Sequence, residues 1–327
     1  MFSINTLVDC PEVLKNFLVY LQTIKGDSPK TVYEYFLDLR MFFRFLKKQR
    51  GLDGGKDFDE ITIGDVGVDI LKSVTLSEVY DFLYYVLNER GGNSSTRSRK
   101  SSSIRTFFSY LTVKVNLIDV NPVTELEVPS QRKRLPKYLN LEESVALLSV
   151  IEGDYAERDF LIATLFLNCG LRLSELVGIN LRDIKGNTLR VIGKGDKERT
   201  IHLNKACTDA IEAYLKVRPE NLAKDKNALF ISRLGNRISV KTVQYTINKY
   251  FKMCGLGDKG YSVHKLRHTA ATLMYQHGNV DIRVLKEILG HKNLATTEIY
   301  THLSNKHIED AFESNPLGKI DIKKLKK

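Results

Sequence analysis

Basic side chains and one tyrosine follow each other in a fixed order along the second half of the chain. Three short motifs hold most of them: GLRLSEL at 170–176, HKLRH at 264–268 and LGH at 289–291. The residues that could take part in chemistry are Arg172, Lys194, His264, Arg267, His291 and Tyr300. Transfer of a phosphodiester needs positive charge at the non-bridging oxygens, a nucleophile in line and an acid for the departing alkoxide. This set of residues could supply all three.

Arg172 and Arg267 suit the first of these tasks. A guanidinium is planar and always charged, and it matches two phosphate oxygens with two of its N–H groups. Two such groups could replace the metal ions of many nucleases. No cluster of carboxylates of the DxD type lies beside either arginine in the sequence. The sequence therefore calls for neither a metal ion nor another cofactor.

His264 and His268 are separated by one helical turn, a spacing that also occurs in zinc sites. The residue after His264 is Lys265, where a metalloprotease helix has glutamate, and its positive charge would repel a metal ion. His264 and Arg267 are spaced by three, so they share one face of a helix. A neutral imidazole beside a phosphate-binding arginine can take up or return a proton near pH 7. We interpret His268 as a structural residue.

Tyr300 is the candidate nucleophile. A phenol has a pKa of about 10, so it becomes nucleophilic only beside cations or a base. The predicted site contains such cations. Because phenolate is a good leaving group, a phosphotyrosyl ester would retain the free energy of the broken bond. A hydroxyl could later attack that ester without ATP.

The composition favours a polyanionic partner. The chain has 327 residues, with 50 Lys and Arg against 39 Asp and Glu, a formal charge of +11 and an isoelectric point near 9.3. This excess of positive charge favours binding to nucleic acid, and the length suggests two domains. No stretch has the pattern of a secretory signal or a membrane span.

The four cysteines, Cys10, Cys169, Cys207 and Cys254, are far apart in the sequence. Their spacing matches neither a disulfide framework nor a zinc site. We therefore expect reduced thiols in a cytoplasmic protein.

The sequence pattern in the first part of the chain predicts helices. Ser28 and Pro29 are typical of a helix start, and apolar residues then recur at helical spacing. Residues 51–67 contain many Gly and Asp residues and predict a loop, whereas residues 76–88 predict another helix.

A further helix is predicted over residues 96–111, with a basic side. The cations on that side are Arg97, Arg99, Lys100 and Arg105. They either lie on DNA phosphates or form a solvated charged face, and the sequence leaves both alternatives open.

An extended basic linker is predicted at residues 128–137, which combine two prolines with three consecutive cations. It separates a helical domain at 1–127 from a second domain at 138–318, and a lysine-rich tail follows at 319–327.

The sequence of the second domain predicts helices and a small sheet. Asn140 and Glu143 form a capping-box pattern, and residues 158–169 are apolar on nearly all sides up to Gly170. Residues 188–192 and 199–203 alternate around the turn that contains Lys194, which predicts a β-hairpin or a three-stranded sheet. Later helices are predicted at 205–217, 240–254, 264–277 and 282–289.

The ordered set of Arg172, Lys194, HxxR at 264–267, His291 and Tyr300 resembles the tyrosine recombinase (phage integrase) family, closest to its Xer branch. The resemblance implies a mainly α fold with a small β-sheet in the catalytic domain. It also implies a helical SAM-like core-binding domain, the two domains forming a C-shaped clamp on duplex DNA. Residues 51–71 are longer than the corresponding Xer connection.

The resemblance also implies roles for the residues. Arg172, Arg267 and His291 would hold the scissile phosphate, and Lys194 would protonate the leaving 5′ oxygen. Tyr300 would form a 3′-phosphotyrosyl intermediate, with His264 assisting proton transfer. Glu175 would orient Arg172.

The expected partner is double-stranded DNA with an imperfect palindromic site. The resemblance implies that the apolar stripe of residues 301–312 packs on a neighbouring protomer, giving a homotetramer, or a heterotetramer with a second recombinase, on two duplexes. The alternative is that this stripe packs within its own chain. Resolution of replicon dimers is the favoured role. The alternatives are an integrase of a mobile element, a type IB topoisomerase and a non-catalytic DNA-binding protein.

Overall fold

The computed structural model describes residues 3–128, 137–193, 198–278 and 280–290, together with Asn293 and Thr297. The chain divides into two compact units, Met1–Lys133 and Arg134–Lys327, each with its own apolar core. Most of the predicted linker, the stripe at 301–312 and the lysine-rich tail lie outside the described residues. Within the described part of the chain, no helix is both long and apolar enough to cross a membrane.

The first unit is built from helices. They are α1 (Glu12–Thr23), α2 (Pro29–Gln49), α3 (Val68–Lys72), α4 (Leu76–Asn88) and α5 (Ser94–Ser109). Ser28 caps α2, because its hydroxyl accepts the backbone N–H of Thr31 at 3.2 Å. The apolar side of α2 is buried, as its helical spacing predicted, and Phe42 packs edge-on against Phe82 of α4.

The segment between α2 and α4 is packed on this core. The sequence predicts a loop over 51–67, and the structure has only a short 3-10 turn there, at Phe58–Glu60. The carboxylate of Asp9 accepts the backbone N–H groups of Ile63 at 2.8 Å and Gly64 at 2.7 Å. Ile63 and Val66 are buried, so the longer connection is a fixed part of the first unit.

Asp38 of α2 is the centre of a buried polar cluster. Its carboxylate accepts hydrogen bonds from Arg99 at 2.6 Å, Lys100 at 2.8 Å and Ser103 at 2.9 Å, all on α5. The prediction that Lys100 lies on the outer basic side of this helix is wrong, since the residue is 5% exposed. Lys100 shares its helical face with Ile104, which belongs to the core, and Asp38 neutralises its charge there.

The second unit combines helices with a small sheet. Its elements are α6 (Leu141–Ser149), α7 (Ala156–Cys169), α8 (Leu173–Gly178), β1 (Ile184–Lys185), β2 (Thr188–Ile192), β3 (Glu198–His202), α9 (Lys205–Val217), α10 (Val240–Met253), α11 (Val263–His277) and α12 (Ile282–Leu289). Asn140 and Glu143 form the predicted capping box at the start of α6. Helix α7 is buried on nearly all sides and ends at Gly170, as its composition predicted.

The sheet has three antiparallel strands in the order β1-β2-β3, so the three-stranded alternative is the correct one. Val191 of β2 lies opposite Arg199 of β3. Along β3 the inner positions are Arg199 and Ile201, while the alternate positions Glu198, Thr200 and His202 are exposed. Lys194 and the rest of the predicted turn, residues 194–197, lie outside the described residues.

Two of the cysteines meet in the core of the second unit. The sulfur atoms of Cys169 and Cys207 are 3.8 Å apart, and both residues are buried. Their hydrogen bond, together with burial, raises the pKa of the Cys169 thiol. All four cysteines are free thiols, as the sequence predicted.

Replacement of Asp38 by alanine is expected to destabilise the first unit by about 3 kcal/mol, because it leaves the buried Lys100 ammonium without its carboxylate. Hydrogen exchange of the amides of α2 and α5 measures this change. Glu34, which pairs with Arg99 at the surface, provides the matched control. Its replacement by alanine should change the stability by no more than about 0.5 kcal/mol. Equal effects of the two replacements would contradict a buried ion pair.

Candidate active site

Arg172 and Arg267 meet at one buried carboxylate. Arg172 immediately precedes α8, and Arg267 lies in the first turns of α11. Arg172 Nη1 donates to Glu175 Oε1 at 2.7 Å, and Arg267 Nη1 is 4.0 Å from Glu175 Oε2. The side chain of Glu175 is 1% exposed. Glu175 thus joins two motifs that are far apart in the sequence.

A third arginine, Arg199 of β3, completes this group. Its Nη1 donates to Glu175 Oε1 at 2.7 Å and its Nη2 to Glu175 Oε2 at 3.0 Å. This is a two-pronged pairing of guanidinium and carboxylate. Sequence reasoning did not select Arg199. The only available signal was its inward position on the strand that follows the predicted turn.

Glu175 remains ionised in this setting. Burial is the largest single influence and would raise its pKa. The hydrogen bonds and charge of Arg199, with the backbone N–H and side chain of Arg172, outweigh burial and lower the pKa to about 2. The cluster therefore holds three guanidinium charges against one carboxylate charge.

Each of these arginines also donates to the C-terminal end of α12. Arg199 Nε donates to the carbonyl of Ile288 at 3.2 Å. Arg267 Nη2 donates to the carbonyl of Leu289 at 2.6 Å. Arg172 Nη2 donates to the carbonyl of Gly290 at 3.2 Å. These three carbonyls, at the end of the helix, have no partners within α12, and the helix dipole makes this end favourable for cations.

Two glycines in the left-handed region bring the helix ends close to the cluster. Gly170 ends α7 with φ 58°, and its carbonyl accepts Arg267 Nη1 at 2.6 Å. A Cβ atom at Gly170 would lie 2.9 Å from a methyl carbon of Leu289. Gly290 ends α12 with φ 64°, and a Cβ atom there would lie 3.2 Å from Arg199 Nη1. Both positions therefore require glycine, for conformation and for space.

His264 lies beside this cluster, on the first turn of α11. The residue is exposed as a whole, although neighbouring atoms cover part of its ring. Burial lowers its pKa from the ordinary value of 6.5, and the positive charges of Arg267, Lys265 and Arg172 lower it further. The neutral imidazole that the sequence predicted is therefore favoured. His268 packs edge-on against it, with ring centroids 4.8 Å apart.

Lys194, His291 and Tyr300 lie outside the described residues. His291 directly follows Gly290 in the sequence. In the first unit, Arg105 is exposed, Arg97 is half-buried, and Arg99 is exposed but bonded to Asp38 and Glu34. Lys100 is buried and so does not reach the surface of α5.

The described cluster can bind an anion. It has an excess of positive charge, and the side chain of Arg172 is 34% exposed, so a phosphate can reach it. Arg267 is 3% exposed, and its Nη1 and Nη2 donate to the carbonyls of Gly170 and Leu289. Among the residues that the structure describes, no group of three His, Cys, Asp or Glu side chains could hold a metal ion.

Two family models match the chain: "Phage integrase family" at residues 137–307 and "Phage integrase, N-terminal SAM-like domain" at residues 14–114. The tyrosine recombinase XerC of Caldanaerobacter subterraneus subsp. tengcongensis is 54% identical over 309 residues, which cover 94% of this chain and 88% of that protein. The tyrosine recombinase XerC of Thermodesulfovibrio yellowstonii is 34% identical over 319 residues, covering 94% of this chain and 97% of that protein.

Solved structures share the fold. XerH site-specific recombinase bound to palindromic difH substrate matches with a TM-score of 0.68 at 21% identity, covering 94% of this chain and 98% of that chain. A lambda integrase dimer bound to a COC′ core site matches with a TM-score of 0.64 at 17% identity, covering 87% of this chain and 95% of that chain. The chain belongs to the phage integrase family of tyrosine recombinases, on its Xer branch, and is a site-specific DNA recombinase.

Proposed function

We propose that this recombinase cleaves and rejoins duplex DNA through a 3′-phosphotyrosyl ester at Tyr300 and that it resolves replicon dimers. The observation that supports this most is the convergence of Arg172 and Arg267 on Glu175, with His264 beside them. Two guanidinium groups fixed in this way can hold a phosphodiester before the nucleophile attacks.

The proposed reaction exchanges one phosphoester for another. The phenolic oxygen of Tyr300 attacks the phosphorus, and His264 takes the phenolic proton. The bond from phosphorus to the 5′ oxygen breaks, and Lys194 gives a proton to that oxygen. Arg172, Arg267 and His291 hold the non-bridging oxygens. Rejoining reverses these steps with a 5′ hydroxyl from the partner duplex, so the reaction consumes neither ATP nor water.

The proposed substrate is a duplex with an imperfect palindromic site, bound in the cytoplasm by a tetramer on two duplexes. The tetramer contains either this chain alone or this chain with a second recombinase. Two relatives support this arrangement: XerH was solved with palindromic difH, and a lambda integrase tetramer with a Holliday junction. The apolar stripe at 301–312 is the proposed contact between protomers.

The proposed domains are a core DNA-binding domain at 1–127, a linker at 128–137 and a catalytic domain at 138–318. The family models at 14–114 and 137–307 support this division. On α5 we propose that Arg97 and Arg105 contact DNA phosphates. Arg99 can do so only with the part of its guanidinium that Asp38 and Glu34 leave accessible.

Replacement of Tyr300 by phenylalanine is expected to abolish the covalent protein–DNA adduct, because it removes the attacking oxygen. DNA affinity should stay within about threefold of wild type, since phosphate contacts supply most of it. The substrate is a duplex selected by binding from a pool of inverted repeats with random half-sites. A nick beside the cleavage position traps the adduct, which denaturing gels measure.

Tyr245→Phe is the matched control, because this tyrosine is exposed on α10, and it should form the adduct normally. An adduct with Tyr300→Phe would overturn the assignment of the nucleophile. Adducts on plasmids without the selected site would favour a topoisomerase-like activity. Selected sites beside excision or transfer genes would favour a mobile-element integrase over dimer resolution.

The cleavage rate is expected to fall on the acid side of its pH profile, with a midpoint below the ordinary histidine pKa of about 6.5. The pKa of His264 is lowered, so more of this residue is neutral at a given pH than in a free histidine. The cleavage rate at limiting protein concentration, which reports the free enzyme, should therefore fall at acid pH with a midpoint below about 6.5.

His264→Gln should be slower by about 100-fold and should lose this limb, because it has no proton acceptor. His202→Gln, at an exposed position of β3, should keep the wild-type profile. An acid limb with a midpoint above pH 6.5 in the wild type would contradict a neutral His264 in the free enzyme.

A further inference from the structure

We propose that Arg199 is a positioning residue of DNA cleavage, which holds Glu175 and the end of α12 so that Arg172 and Arg267 are presented to the scissile phosphate. This inference rests on the proposed function. Arg199 itself is not assigned a contact with DNA.

The contacts of Arg199 use all three nitrogens of its guanidinium. Nη1 and Nη2 donate to the two oxygens of Glu175 at 2.7 and 3.0 Å, and Nε donates to the carbonyl of Ile288 at 3.2 Å. Its side chain is 15% exposed. One planar group thus joins β3 to α8 and to the C-terminal end of α12. A lysine could not reproduce this fork.

Charge explains why the site needs a third arginine. Glu175 neutralises one positive charge, and with Arg199 present two remain for the phosphate. Without Arg199, only one would remain. The buried carboxylate would also lose two hydrogen bonds, and Arg172 and Arg267 would have to replace them. Arg199 therefore leaves these two residues available for the substrate.

The backbone around Arg199 leaves space for its side chain. Arg199 shares the inner side of β3 with the buried Ile201. On the opposite side, Gly290 leaves the space that the guanidinium occupies, because a Cβ atom there would be 3.2 Å from both Cδ and Nη1 of Arg199. His291 directly follows Gly290 in the sequence, so the contact of Arg199 with the end of α12 also fixes the residue from which the chain continues to His291.

The test compares Arg199→Ala, Arg199→Lys, Glu175→Gln and the double variant Arg199→Ala with Glu175→Gln, all in the full chain. The nicked selected duplex is the substrate, and the cleavage rate at saturating protein is measured separately from DNA affinity. Arg190→Ala is the matched control. Arg190 lies on the adjacent strand and also bridges two carboxylates, Asp183 and Glu198, away from Glu175. Circular dichroism verifies that each variant is folded at the assay temperature.

Arg199→Ala is expected to slow cleavage at saturation by about 10- to 100-fold, because it misplaces the groups that position the phosphate. DNA affinity should change by less than about threefold, since Arg199 has no proposed phosphate contact. Arg199→Lys should recover part of the rate, because it keeps one charge beside Glu175. Arg190→Ala should cleave at the wild-type rate.

The double variant distinguishes positioning from a separate role. Because Arg199 acts mainly through Glu175 and also holds the end of α12, adding Arg199→Ala to Glu175→Gln should slow cleavage by a much smaller factor than Arg199→Ala does in the wild type. Effects that multiply, or an Arg199→Ala rate within about threefold of wild type, would overturn the inference. If Arg199→Ala does not fold, a wild-type rate for Arg199→Lys overturns it equally. Failure of the wild-type protein to form the covalent adduct would instead overturn the proposed function.

Discussion

A carboxylate inside a protein is stable only where hydrogen bonds and opposite charges replace the water that it has lost. Glu175 meets this condition through Arg172 and Arg199, with Arg267 at the edge of the group. The three arginines come from the start of α8, from β3 and from α11, elements that also share the apolar core of the second unit. The carboxylate thus fixes where the guanidinium groups lie relative to each other. Their relative position is the property that a phosphate site requires.

The C-terminal end of α12 provides the second constraint. A helix leaves its last carbonyls without internal partners, and here the carbonyls of residues 288, 289 and 290 each accept a hydrogen bond from a different arginine. Such contacts restrict the rotation of each guanidinium without cancelling its full charge. They also explain the glycine at position 290, since a left-handed residue ends the helix at the point where Arg199 needs space.

Local patterns in the sequence predicted the parts of this structure that depend on neighbours along the chain. Apolar spacing, the cap at Ser28 and the capping box at Asn140 gave helices in the right places. The order of the motifs identified Arg172 and Arg267. Arg199 could not be found in this way, because strand alternation shows that a side chain points inward but not what it meets.

Lys100 illustrates the same limit. A lysine in a helical pattern is normally assigned to solvent, and only Asp38, on another helix, makes its burial possible. The third strand, β1, has two residues and is too short to alternate, so the sequence left a hairpin and a three-stranded sheet as alternatives. The burial of Lys100 depends on a pair of residues distant in sequence, which a pattern of local spacing does not record.

The three arginines differ in how much of each side chain is exposed to solvent. Arg199 and Arg267 are largely enclosed, so their guanidinium groups cannot turn away into solvent, whereas Arg172 keeps a third of its side chain exposed. A phosphate that reaches Arg172 therefore meets charges that are already in place. Donors that need no rearrangement stabilise developing charge more than donors that must first be ordered. Because a single carboxylate orients the whole set, a small displacement of Glu175 would move all three charges together. This makes the buried acid, rather than any one arginine, the element to which the site is most sensitive.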